Sequence, residues 1–151
     1  MVPVAFYQLA SRRAEQVLPQ LLAKALAAGH RIVVCAPDAA QLKRLDDALW
    51  SFAPDSFLSH ALDSDVGPER ATTQPVLLTG SGLPAANRAD CLAQVGGDLP
   101  DDLGPLARVL YLFDADSTEI ARARWRTLGK AGGVTPVYWR EGEGGRFEKA
   151  G

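Results

Sequence analysis

The chain has 151 residues, 47% of them apolar, and a formal net charge of −2 at pH 7. This length suits one domain with a sizeable core, and the slightly acidic balance argues against bulk electrostatic attraction to nucleic acid. Cys35 and Cys91 lie in apolar runs, which predicts two small core residues and neither metal ligands nor a disulfide. Because no signal peptide or long apolar span is evident, we expect a cytoplasmic protein without a membrane segment.

The first elements predicted are a strand at residues 4–9 and a helix at about residues 13–28. β-forming side chains mark the strand, and apolar residues at helical spacing mark the helix, which Gly29 ends. Pro19 lies inside the helical pattern, where a proline costs on the order of 3 kcal/mol. We therefore expect this helix to begin later than its apolar pattern suggests, or to kink at Pro19.

A buried strand at residues 30–36 and a second helix follow. The strand is a continuous apolar run, which is typical of a central strand covered on both faces. Asp38 and Gln41 have capping-box spacing at the start of the helix, which is expected to end near Trp50. Trp50 falls at the edge of the helix's apolar face, as part of the core lining or of its rim. Residues 56–60 alternate in polarity and predict an edge strand.

The middle of the chain is less regular. Residues 63–74 are polar and rich in turn formers, which predicts a loop. Residues 76–79 predict a short buried strand, and residues 90–95 fit either a strand or a helix. Residues 108–113 form an apolar run that predicts a strong strand.

The last predicted strand covers residues 134–139, and Pro136 within it indicates a sheet edge. Residues 141–151 are charged and glycine-rich, so we expect a disordered C-terminal tail. The alternation of strands and helices predicts one α/β domain over residues 1–140 with a mostly parallel sheet.

One predicted helix, at residues 116–130, has an unusual distribution of side chains. With Ile120 at the centre of the inward face, Arg122, Trp125 and Arg126 fall on the far side. An exposed tryptophan between two arginines predicts a small recognition patch for a hydrophobic group and a carboxylate. The alternative is that another element covers Trp125 and that the arginines are only solvated.

Little in the sequence points to catalysis. His30 and His60 lie far apart and outside any metal-ligand pattern, so no metal site is predicted. Asp114 and Asp116 follow a strand end, where α/β enzymes often place active groups, but helix capping explains them. No cofactor site is predicted from these residues.

A glycine motif keeps an enzyme hypothesis open. The segment Gly80-Ser81-Gly82-Leu83-Pro84-Ala85 matches G-x-G-x-x-A, but it follows a late strand and has a proline in the loop. The alternative function is therefore a nucleotide-dependent α/β enzyme that uses this loop and the strand-end aspartates. Direct DNA binding by the arginine-bearing helix is a third hypothesis, which the overall acidity disfavours.

Six short segments of the chain are uninformative one by one, but their order and spacing together point to a known family. They are Phe6-Tyr7, Gly29-His30-Arg31, Leu45-Asp46-Asp47-Ala48-Leu49-Trp50, Ser56-Phe57-Leu58-Ser59-His60, Pro75-Val76 and Ala121-Arg122-Ala123-Arg124-Trp125-Arg126. Together they resemble the chi subunit family of bacterial DNA polymerase III, over nearly the whole chain. The most specific part of this resemblance is the stretch from Leu45 to Trp50, at the end of the second predicted helix, together with the spacing of Phe57 and His60 downstream of it.

The resemblance implies a Rossmann-like, three-layer α/β fold and a non-catalytic role in the clamp-loader complex, with no cofactor. Members of the family bind the acidic C-terminal tail of single-stranded-DNA-binding protein, and many also bind the psi subunit. The implied partners are thus that tail, psi and the clamp loader, with a helicase as a further candidate. Contact with DNA would be only indirect.

The resemblance also implies which residues bind. It assigns the tail site to Arg122, Trp125 and Arg126, with Trp50 nearby as part of an apolar wall. It assigns the psi contact to the surface around Phe57 and His60. Thr118 stands where the family can carry a lysine, so one basic contact is missing from the implied site.

Overall fold

The computed structural model describes residues 2–10, 12–51, 60–80, 85–100, 103, 106–131, 134–142 and 146–150. Within them, four helices and one eight-stranded sheet are present. The helices are α1 (Ala14–Ala27), α2 (Ala39–Ser51), α3 (Pro68–Ala71) and α4 (Thr118–Ala131). The strands are β1 (Val2–Gln8), β2 (Ile32–Cys35), β3 (His60–Leu62), β4 (Val76–Thr79), β5 (Cys91–Val95), β6 (Arg108–Phe113), β7 (Val134–Glu141) and β8 (Phe147–Lys149).

The strands are arranged in the order β3-β4-β2-β5-β6-β1-β7-β8. All neighbouring pairs are parallel except β7 and β8, which are antiparallel. The buried side chains separate into two clusters, one on each face of the sheet. Helices α1 and α2 contribute to the first cluster and α4 to the second, so helices cover both faces. The predicted α/β domain with three layers and a mostly parallel sheet is confirmed.

The apolar runs of the sequence form the central strands, as predicted. All four residues of β2 and all four of β4 are buried. The segment at residues 90–95, which fitted a strand or a helix, forms β5, and its five residues are buried. Both cysteines are buried, and burial raises the pKa of the Cys91 thiol to about 12. Parallel strands covered on both faces need apolar side chains on both sides, which explains why these strands lack alternation.

Helix α1 and the segment at residues 63–74 bear on two local predictions. Helix α1 begins at Ala14, ahead of Pro19, which is a buried residue in its interior. Of the two alternatives for this helix, the later start is therefore wrong, and the kink at Pro19 stays a prediction. The segment at residues 63–74, predicted as a loop, contains the one-turn helix α3, which has Pro68 in its first turn, where a missing amide costs no hydrogen bond.

The C-terminal region also differs from the prediction. Residues expected to be disordered form the end of β7 and the strand β8. The Phe147 ring packs edge-on against Tyr7 with centroids 5.2 Å apart, and the Arg12 guanidinium lies 5.7 Å from the Phe147 centroid. Strand β8 pairs only with the last three residues of β7. Pro136 was expected at a sheet edge. Strand β7 is not an edge strand, because β8 pairs with it, but this pairing does not extend to Pro136.

A buried carboxylate connects this region to the loop after β1. The Glu141 side chain is 1% exposed, and its Oε1 lies 3.9 Å from the Arg12 Nε. Its oxygens accept hydrogen bonds from the backbone amides of Ala10 and Arg12 at 3.3–3.4 Å. Because a buried carboxylate is costly without such donors, Glu141 fixes both the end of β7 and the chain after β1.

We expect Glu141→Ala to lower the free energy of unfolding by about 2 kcal/mol, because it leaves the amides of this loop without their acceptor. Urea unfolding followed by circular dichroism would measure this. Glu148→Ala, which removes an exposed carboxylate from β8, is the matched control and should change stability by less than about 0.5 kcal/mol. Equal loss in both variants would contradict this role of Glu141.

Candidate functional site

The inward face of α4 is not the face that the sequence predicted. Ala121 is fully buried and Leu128 is 9% exposed, whereas Ile120 is 42% exposed. Trp125 lies between these two buried positions on the same face and packs against the second core cluster. The prediction that Trp125 is on the outer face is therefore wrong. The first half of the alternative, that another element covers Trp125, agrees with its packing against Phe6 and Tyr138, and the second half, that the arginines are only solvated, stays a prediction.

Trp125 joins a group of aromatic rings on this face of the sheet. Its ring meets Phe6 of β1 edge-on at 5.3 Å and Tyr138 of β7 edge-on at 5.5 Å, measured between centroids. Phe6 and Tyr138 in turn stack with an interplanar angle of 8° and centroids 6.2 Å apart. Such pairs add about 0.5–1.5 kcal/mol each beyond burial, so Trp125 fixes α4 on the sheet as well as forming part of a surface.

The three arginines of α4 differ in what surrounds them. Arg124 makes two hydrogen bonds to the Asp98 carboxylate, at 3.0 and 2.8 Å. Arg122 and Arg126 are exposed, and among the described residues neither has a carboxylate within ion-pair distance. They stand four residues apart on one side of the helix, where like charges repel by about 0.2–0.5 kcal/mol. This positive pair beside Trp125 is thus a small cost to stability and a ready site for an anion.

Strand β7 adds residues that the sequence did not single out. Tyr138 and Arg140 share one face of the strand, because alternate residues point the same way. The Tyr138 hydroxyl donates a hydrogen bond to the Gln8 side chain. Burial raises the pKa of Tyr138, while the charges of Arg122 and Arg140 act to lower it. The candidate site is the surface where α4 meets β7, which is called the groove between α4 and β7 below.

Trp50 does not lie near this groove. It ends α2, which packs on the opposite face of the sheet from α4, and α2 contacts the edge strand β3. Trp50 is 62% exposed, and its ring centroid lies 4.6 Å from that of His60. The expectation that Trp50 forms one wall with Trp125 is therefore wrong, because the sheet separates the two side chains.

His60 lies beneath Trp50 and does not reach the surface. Its side chain is 0% exposed, and its Nε2 lies 3.2 Å from Oδ1 of Asp46, whose side chain is 7% exposed. A residue this buried supports Trp50 from below and has no surface for a direct partner contact. Phe57, predicted with it, lies outside the described residues.

The structure offers little support for catalysis in its described part. No group of three or more His, Cys, Asp or Glu side chains could hold a metal ion there. Gly80 follows β4, and the rest of the predicted glycine loop lies outside the described residues. Asp114 caps the 3-10 turn Ala115–Ser117 by accepting from the Asp116 amide at 3.0 Å, as predicted. The described helices include none long and apolar enough to span a bilayer.

Comparison with known proteins identifies relatives along most of the chain. The family model described as DNA polymerase III chi subunit, HolC, matches residues 1–135. DNA polymerase III subunit chi of Pseudomonas aeruginosa is 32% identical over 137 residues, covering 87% of this chain and 92% of that protein. The protein of the same name from Escherichia coli K12 is 26% identical over 129 residues, covering 83% of this chain and 86% of that protein.

The proximity of Arg122 to Tyr138 in this groove can be tested without a ligand. Because the Arg122 charge favours the Tyr138 phenolate, we expect Arg122→Ala to raise the pKa of Tyr138 further. A titration followed by NMR of 13Cζ-labelled tyrosine would detect this as ionisation at higher pH. Arg126→Ala is the control and should change that pKa less. An unchanged or lowered pKa in Arg122→Ala would contradict the described groove.

Proposed function

The chain belongs to the DNA polymerase III chi subunit family, and on this premise we propose that it links the clamp-loader complex to the acidic C-terminal tail of single-stranded-DNA-binding protein. Membership alone implies an accessory role in DNA replication. The tail as ligand is supported by one observation: Arg122 and Arg126 stand exposed, without carboxylate partners among the described residues, beside the half-buried Trp125. The proposed action is binding without catalysis, in the cytoplasm at the replisome.

In this proposal the tail lies along the groove between α4 and β7. Its terminal carboxylate pairs with the Arg122 guanidinium, which can offer two parallel N–H donors. Arg140 and the Tyr138 hydroxyl stand on the same groove and add positive charge and a polar contact. The hydrophobic terminal side chain packs on the exposed part of Trp125, and Arg126 faces the acidic residues that precede it. This is capture of a C-terminal carboxylate with an aromatic contact.

The surroundings of the groove limit its affinity. Thr118, at the position where the family can carry a lysine, donates its hydroxyl to the Asp114 carbonyl at 3.0 Å and supplies no charge. Glu148 lies opposite Arg140 in the pairing of β7 with β8 and reduces the positive potential there. Ordering a mobile tail also costs free energy. We therefore expect modest affinity that weakens as salt screens the exposed arginines.

A second surface on the opposite face fits the proposed psi contact. Trp50 is a large exposed ring, held from below by the buried His60 and Asp46. We propose Trp50, rather than His60, as the side chain that touches this partner, with His60 holding it in position. The clamp loader would then be reached through psi. A helicase is a further candidate for the same surface.

We expect Arg122→Ala to weaken binding of a labelled acidic tail peptide by roughly 10- to 100-fold, because a hydrogen bond to a charged group contributes about 1.5–3 kcal/mol. Fluorescence anisotropy at low and high salt would measure this. Arg70→Ala, an exposed arginine of α3, is the matched control and should leave affinity unchanged. Amidation of the peptide's C-terminus should cause a loss comparable to Arg122→Ala.

Trp125→Ala is a poor test, since loss of its packing on Phe6 and Tyr138 would disturb α4 itself. Unchanged affinity in Arg122→Ala, with the melting temperature also unchanged, would remove the tail proposal.

The two surfaces should be separable by mutation. Trp50→Ala is expected to leave tail affinity unchanged, because the sheet lies between Trp50 and the groove. The same change should weaken binding of the cognate psi subunit by tenfold or more, as truncation of a central aromatic contact often does. Surface plasmon resonance with each partner would measure both. Loss of tail binding in Trp50→Ala would show that the two surfaces are not independent.

A further inference from the structure

A cavity of about 640 Å³ opens at the carboxyl ends of the parallel strands, and its lining includes none of the residues assigned above to the two binding surfaces. Its walls come from the loops after β1, β2, β5 and β6. Lining residues from these four loops include Leu9, Pro37, Gly96 and Asp114. The volume lies within the range of about 300–1,000 Å³ that is usual for small-molecule sites.

The position of the cavity in the sheet is the one where α/β proteins bind small ligands. Strands β2 and β5 are neighbours, but the chain leaves β2 towards β3 and leaves β5 towards β6, which lie in opposite directions. Such a divergence opens a crevice outside the strand ends. Pro37, after β2, and Gly97, after β5, both line this cavity. The cavity therefore includes the switch point of the sheet.

One wall of the cavity is positive. Helix α1 begins there with Ala14 and Glu15, after the N-cap residue Arg13, whose backbone amide donates to the Gln16 Oε1 at 2.8 Å. Two other charged residues of this wall are in ion pairs. The Glu15 Oε1 lies 3.4 Å from the Arg44 Nε, and the Arg12 Nε lies 3.9 Å from the Glu141 Oε1. The Arg13 guanidinium has no carboxylate within ion-pair distance among the described residues. An uncompensated guanidinium and the first turn of a 14-residue helix together favour an anion.

The loop after β6, which neighbours β1 in the sheet, brings acidic residues to the same cavity. Asp114 and Asp116 line it, and the Asp114 Oδ1 already accepts the Asp116 amide at 3.0 Å. The Asp116 side chain is exposed and makes no described hydrogen bond, so its carboxylate can accept hydrogen bonds from hydroxyl groups. An anion-binding segment and a carboxylate that line the same cavity match a ligand that carries both a phosphate and hydroxyl groups.

The loop after β5, on the far side of β6 from β1, contributes glycine backbone to the cavity. Gly96 and Gly97 both have positive φ, 69° and 62°, which a side chain would strain. Their carbonyls are fixed from below: the Gln94 amide donates to Gly96 at 3.0 Å, and the Tyr111 hydroxyl donates to Gly97. A Cβ on Gly97 would lie 3.2 Å from the Pro37 Cγ. This loop is thus rigid, and a ligand can approach its backbone closely.

We propose that this cavity binds a sugar phosphate, with the phosphate on Arg13 and the start of α1 and the sugar hydroxyls on Asp116. The sugar phosphate can be free or part of a nucleoside monophosphate, because both present the same groups to these residues. Gly80, which follows β4 and begins the predicted glycine loop, is not among the described residues that line the cavity. The proposed site is also independent of the proposed binding of a protein tail.

The test is a comparison of ribose 5-phosphate, AMP, inorganic phosphate and ribose, by isothermal titration and by thermal shift on the full chain. Ribose 5-phosphate should bind saturably, with a dissociation constant of about 1 mM or lower, and more tightly than phosphate or ribose alone. Tighter binding of AMP would show that a nucleotide is the better ligand of the two sources. No saturable binding of either phosphate ester below about 10 mM would overturn the proposal.

Variants place the ligand within the cavity. Arg13→Glu should weaken ribose 5-phosphate binding by roughly tenfold or more, whereas Asp116→Ala should weaken ribose 5-phosphate but not inorganic phosphate. Arg70→Glu and Arg122→Glu are the charge-matched controls, and Arg122→Glu also excludes binding in the groove between α4 and β7. Equal loss in Arg122→Glu and Arg13→Glu would overturn the proposal, as would unchanged binding in Arg13→Glu when its melting temperature matches that of the unmodified chain.

Discussion

Burial of the central strands on both faces is the constraint on which the rest of this molecule depends. Strands β2, β4 and β5 have only buried residues, so each face of the sheet needs a covering layer. Helices α1 and α2 supply one layer, and α4 with irregular segments supplies the other. This division puts the end of α2 and the outer side of α4 on opposite sides of the domain. The separation of Trp50 from Trp125 therefore follows from how the sheet is covered.

The groove between α4 and β7 divides two tasks among its side chains. Trp125, Phe6 and Tyr138 hold the helix on the sheet through edge-on and stacked contacts. Arg122 and Arg126 contribute little to folding, and their mutual repulsion costs a few tenths of a kcal/mol. The aromatic contacts of Trp125 fix the helix that carries both arginines, so the backbone of the site is ordered before a ligand binds, which lowers the ordering cost of binding. A chain with a net charge of −2 can thus present a locally positive surface.

The sequence allowed prediction where the physical signal is local. The continuous apolar runs of β2 and β6 predicted buried strands, and the Asp38 cap predicted the start of α2, where the Asp38 Oδ1 accepts the Ala40 amide. Predictions failed where the answer depends on distant partners. The face of α4 was misplaced because Ile120 looked apolar, yet the sheet below is met by Trp125, whose large ring fills the space over Phe6. Arg140 was missed because the sequence does not show that Tyr138 and Arg140 of β7 point to the face of the sheet that α4 covers. The strand β8 was missed because its order depends on Phe147 packing against Tyr7.

An adaptor needs two binding surfaces that do not compete, and a doubly covered sheet provides them at small size. In the proposed arrangement, a ligand in the groove between α4 and β7 lies on the other face of the sheet from a partner seated on Trp50. Simultaneous binding then needs no conformational change in the domain, and coupling arises from tethering alone. Once one partner is bound, the other surface is held at high effective concentration near its own target, so modest affinity on each side is sufficient. Weak, salt-sensitive capture of a tail is therefore compatible with stable attachment, provided that many tails are presented close together.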